Sequence, residues 1–154
     1  MLSVTRRWRD EKVLWWVLRD EKLLDRVNVP LTTSREEWGE AFMDLAKLVV
    51  EGFETSAIRA KLNESSVTFN KDDKTIVLLE KLLNSNTSTP QFKRLEGLRT
   101  VQNLRSKAKG HVGGGEAEEL AQQALLEYET FSNHFKHVCT LVVEDLYSVE
   151  KLCT

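Results

Sequence analysis

The sequence predicts an all-α protein, a compact antiparallel bundle of five or six helices, on three observations. Helix start and stop signals recur along the chain, apolar residues repeat at three- and four-residue spacing, and no stretch alternates cleanly enough to demand a strand. The chain has 154 residues, the common size of a single domain that buries its own core without disulfides or structural metal. One helical domain over residues 1–154 is therefore expected.

The first helix is placed over residues 5–28 and ends at the Asn28-Val29-Pro30 turn, since proline disfavours helix in the residue before it. Inside it, Val13–Leu18 is apolar all the way round, so Trp15 and Trp16 both need cover, from a central position in the bundle or from a second subunit. The Arg-Asp-Glu-Lys tetrapeptides at 9–12 and 19–22 flank that run as solvated faces. A second helix over 34–63 opens with a capping box of Ser34 and Glu37 and carries Trp38, Phe42, Leu45, Val49 and Phe53 along one stripe. The polar stretch 64–72 reads as a loop, and a third helix over 73–84 puts Ile76, Leu79, Leu82 and Leu83 on one face before a surface linker over 84–89.

Thr89 and Pro90 read as the N-cap and first residue of a fourth helix, which carries Phe92, Leu95, Leu98, Val101 and Leu104 and runs to about Lys109. Gly110 and Gly113–Gly115 interrupt it. Glu116, Glu118 and Glu119 then fill the first turn of a further helix, where negative charge complements the dipole. After a break at 128–131, the last helix spans 132–152.

Composition removes several function classes. A net charge of −2 and an isoelectric point near 6.0 give no global attraction to nucleic acid or anionic lipid, so such a partner has to meet a local patch. Cys139 and Cys153 fall in one predicted helix about 21 Å apart, too far for a disulfide within the chain; both read as packing residues in a reducing compartment. The longest apolar run falls far short of the roughly 18 to 20 residues of a membrane span, and acids interrupt the basic N-terminal stretch with no cleavage site behind it. A cytoplasmic protein without a membrane partner is expected.

No cofactor or metal is expected either. Gly113–Gly115 lacks the lysine and hydroxyl residue of a phosphate loop and runs into glutamates. His134 and His137 share a helix face without a third ligand at a recognisable spacing, so both read as solvated. Glu144, Asp145 and Glu150 read as solvated helix surface, and the four tryptophans as core.

The functional signal lies in Leu104–Gly115. From Phe92 to His111 the cations Lys93, Arg94, Arg99, Arg105, Lys107 and Lys109 face the single acid Glu96, and an acidic section follows. This pattern fits either a basic helix presented to phosphates or two helices that neutralise each other. On the first reading Arg99, Lys107 and Lys109 hold RNA. Arg105 and His111 are the candidate catalytic pair, because metal-free RNA cleavage needs a group that moves a proton near neutral pH and a cation that grips phosphate oxygens. On a straight helix, residues six apart point about 120° away from each other. Gly110 must therefore bend the chain, or a second subunit must complete the site.

The Arg105-x(5)-His111 spacing, with a leucine before the arginine and glycines after the histidine, resembles the HEPN superfamily, and within it the C-terminal HEPN-like domains of abortive-infection proteins. The resemblance covers mainly residues 95–150, and Ser106 stands where many nuclease members carry asparagine, aspartate or histidine. It implies a helical RNA-binding or metal-independent RNA-cleaving domain of a prokaryotic defence system, acting as a homodimer with Arg105 and His111 near the interface. An antitoxin or a fused partner domain would accompany it. The alternative is a non-catalytic helical protein-interaction module of a larger protein, in which the same two residues stabilise a helix end.

Overall fold

Eight helices make up the secondary structure of the described residues: α1 (Leu2–Glu11), α2 (Leu23–Arg26), α3 (Arg35–Val49), α4 (Thr55–Glu64), α5 (Thr75–Ser85), α6 (Glu96–Ala108), α7 (Gly115–Tyr128) and α8 (Phe131–Cys153). The structure is a computed structural model that describes residues 1–85, 92–108 and 115–153, with the backbone alone at Ala108 and Cys153. The all-helical expectation holds for these residues, where the only β feature is an isolated bridge between Trp16 and Phe53. The count exceeds five or six because the first two expected helices are each broken.

The first break follows Glu11. Lys12 adopts the left-handed conformation at φ 52°, its N–H returns to the Arg9 carbonyl, and the Val13 N–H returns to the Trp8 carbonyl at 3.2 Å. This is a Schellman stop made without glycine, which is why sequence punctuation misses it. Beyond it the chain runs irregularly to α2, and consecutive residues can point to opposite sides. Trp15 and Trp16 are both buried as a result, Trp15 stacked on Phe53 at 6.2 Å and both packed edge-on against Trp8 at 4.5 and 5.7 Å. They find cover in the core of one chain, from an irregular segment rather than a central helix.

The second break separates α3 from α4 at Val50–Glu54. Trp16 Nε1 donates to the Leu48 carbonyl at 3.2 Å, and a Cβ at Gly52 would lie 2.3 Å from that same nitrogen. A side chain is therefore excluded at Gly52. The start of α3 follows the sequence reading, with Ser34 Oγ accepting the Glu37 N–H at 3.3 Å.

The start of α6 does not follow it. Residues 92–95 are non-helical, the helix begins at Glu96, and Thr89 and Pro90 lie outside the described residues. Asn84 holds the approach by accepting the Lys93 N–H at 2.7 Å and donating to the Lys93 carbonyl at 2.8 Å. One core cluster then draws on every helix, from Val4 to Val149, and α6 packs chiefly against α3 and α8 within it. No helix among the described residues is long and apolar enough to cross a membrane.

Candidate functional site

Leu95, Leu98, Val101 and Leu104 recur at helical spacing, and all are buried, so α6 is anchored along its length. Anchoring that stripe leaves Arg105 and Lys107 in the last turn toward the surface. Their side chains are 32% and 40% exposed.

Arg105 meets an acid that sequence reasoning did not single out. Its guanidinium contacts the carboxylate of Glu51, which projects from the turn after α3, as a contact of charge without hydrogen-bond alignment. Arg19 approaches the same residue from another side. Its Nε donates to the Glu51 carbonyl at 2.7 Å, and its guanidinium pairs with Glu54 at 2.8 Å. No spacing rule links residues 19, 51 and 105, since the break between α3 and α4 alone brings them together. Lys107 lies 4.0 Å from Glu116 in the first turn of α7, while the Ser106 hydroxyl donates to the Gln102 carbonyl at 2.9 Å. Lys109 and His111 lie outside the described residues.

Arg99 points elsewhere. It donates twice to the carboxylate of Glu80 on α5, at 2.6 Å from Nε and as a 2.5 Å ion pair, and that carboxylate also accepts the Leu95 N–H at 3.0 Å. Burial opposes the charge on Glu80, yet the Arg99 and Leu95 hydrogen bonds outweigh it and hold the carboxyl below its ordinary range. The residue expected to hold RNA is tied into the fold instead. Of the five cations of that segment among the described residues, Arg99 pairs with α5, Arg105 with the α3–α4 turn and Arg94 with Glu96, Lys93 donates to Ser148, and only Lys107 meets the acidic section that follows, at Glu116 of α7.

Two residues expected on the solvated surface are buried. His134 packs among Trp38, Phe42 and Tyr128, and its Nδ1 accepts the Trp38 Nε1–H at 3.3 Å. Burial, with His137 nearby, lowers it to about 4. Asp145 reaches the start of α6, where it accepts the Leu98 N–H at 2.9 Å. Helical spacing puts both residues on the inner face of α8, a placement hidden by counting them as polar. Cys139 is half-buried, and desolvation pushes its thiol up to about 11, consistent with a packing role. Among the described residues, no three His, Cys, Asp or Glu side chains converge as a metal site.

No protein-family model, curated protein or solved structure matches the chain.

Proposed function

We propose that this chain is a HEPN-like domain that binds RNA at the C-terminal end of α6 and cleaves it without metal. Arg105 grips the phosphate, His111 moves the proton, and Lys107 and Lys109 attract the backbone. The observation that supports the reading is the placement of Arg105, held at the surface in the last turn of a helix whose other face is fixed in the core. Its contact with Glu51 does not block such a role. A partly exposed ion pair is worth about 0 to 1 kcal/mol, whereas charge-assisted hydrogen bonds to phosphate contribute about 1.5 to 3 kcal/mol. Phosphate therefore displaces Glu51. The domain would serve a prokaryotic defence or abortive-infection system, paired with an antitoxin or a fused partner domain. A homodimer would complete the site if Gly110 does not bend His111 toward Arg105.

The pairing of Arg99, Arg105 and Lys107 with acids favours a second reading. A non-catalytic helical interaction module needs no free phosphate grip. RNA cleavage in EDTA separates the two. Under the first reading His111→Ala and Arg105→Ala each abolish cleavage, Arg105→Ala costing about 0 to 1 kcal/mol of stability through its lost contact with Glu51, and Arg105→Lys restores little because lysine lacks the bidentate grip. Wild-type cleavage must be compared with these variants purified identically, and activity that survives both alanine substitutions rules out the site. Light scattering then reads the assembly, where a clean 17.7 kDa monomer removes the two-subunit version.

A further inference from the structure

We infer that Asp145 is a titratable joint between α8 and α6, through which proton concentration sets how firmly the helix carrying Arg105 is docked. Leu98 lies in the first turn of α6, where backbone N–H groups have no partner within the helix. Asp145 supplies one from α8, its carboxylate accepting the Leu98 N–H at 2.9 Å from a side chain that is 7% exposed. Beside it the two helices touch main chain to main chain. A Cβ at Gly97 would lie 2.4 Å from the Val142 nitrogen and 2.5 Å from the Leu141 carbonyl carbon. At Gly97 the two backbones leave no room for a side chain.

The surrounding charges do not neutralise the group. Lys93, on the approach to α6, attracts it but gives its ammonium to Ser148 Oγ at 2.9 Å, and Glu96 in the first turn of α6 repels it. Glu80 of α5 and Arg99 of α6 are paired with each other, and Glu144 is the neighbouring acid on α8 itself. Burial raises the Asp145 acid to about 6, against the pull of the Leu98 and Gly97 N–H groups and of Lys93. An ordinary aspartate titrates near 3.8, so the folded protein holds this proton about 100-fold more tightly than the unfolded chain. The sign follows from linkage. The folded state binds more protons between those two values, so docking is firmest when Asp145 is protonated and weakens as pH rises from about 4 to about 6.

Two measurements on the full chain test this. Carboxyl carbon NMR of 13C-aspartate-labelled protein should give Asp145 a midpoint near 6, whereas a midpoint near 4 overturns the inference. Asp145→Asn keeps an acceptor for the Leu98 N–H and removes the titration. The wild-type thermal midpoint should fall relative to that variant between pH 4 and pH 7, and amide exchange at Leu98, corrected for its intrinsic rate, should become up to about 100-fold faster relative to the variant. A difference between the two proteins that does not change with pH sinks the proposal. If Asp145→Asn does not fold, the wild-type NMR midpoint decides alone.

Discussion

A methyl group at position 97 would press into the backbone of Val142, which cannot rotate out of the way as a side chain can. Helix propensity favours alanine over glycine by about 1 kcal/mol, while overpacking costs about 1 to 3 kcal/mol. The steric term wins. Gly97→Ala should therefore lower stability in denaturant titrations, and a stabilised variant would show that α6 and α8 can slide apart at little cost. His134 is a second residue whose role depends on what it touches. Its neutral ring accepts from Trp38, and its folded value of about 4 lies below the ordinary 6.5. The unfolded chain takes up the proton first, so this group stabilises the fold fully above about 6.5 and loses that contribution, on the order of 3 kcal/mol, as pH falls toward 4. The His134 ring resonances should stay unmoved from pH 8 to pH 5, and a midpoint near 6.5 would contradict the burial. Asp145 acts in the opposite direction over the same interval, so only comparison with Asp145→Asn isolates it.

At the scale of elements, the ends of the helices separate what was legible from what was not. The start of α3 was readable because its cap is local, a serine and the third residue beyond it. The start of α6 was not, because its caps come from other elements: Glu80 of α5 takes the Leu95 N–H, and Asp145 of α8 takes the Leu98 N–H. Arg99 completes the first of these and so belongs to the fold. Removing one partner of a buried ion pair strands the other charge at about 3 to 5 kcal/mol. Glu80 is the buried member, so Arg99→Ala should cost an amount in that range, discounted for an arginine that is itself one-third exposed. The effect should shrink in acid, because Glu80 stabilises the fold above its unfolded value near 4.5 and loses that contribution as it protonates at lower pH. A variant as stable as the wild type would return Arg99 to the surface cations. The candidate site was half legible in the same way: Arg105 and its basic neighbours stand out in sequence, but Glu51 and Arg19 join them only through the turn between α3 and α4.

For the molecule as a whole, the buried tryptophans report on assembly of the core. Trp8, Trp15 and Trp16 cluster where α1 and the extended segment meet the α3–α4 turn, while Trp38 packs against α8 through Phe131 and His134. Both groups belong to one core cluster, so unfolding should be a single cooperative event. Tryptophan fluorescence and far-ultraviolet circular dichroism should give coincident transitions, and separate midpoints would mean that the N-terminal aromatic cluster melts independently.

The sequence by itself determined the helical class, the stripes of α3 and α5, that of α6 from Leu95 onward though not the exposed, non-helical Phe92, and the cap of α3, because hydrophobic periodicity and local hydrogen bonds act within a few residues. Only the tertiary structure decided where the second long helix breaks, which acids cap α6 and which partners Arg19, Arg99 and Arg105 take. Those outcomes rest on Trp16 reaching Gly52 and on carboxylates from α5, α8 and the α3–α4 turn, contacts between residues tens of positions apart that carry no periodic trace in the chain.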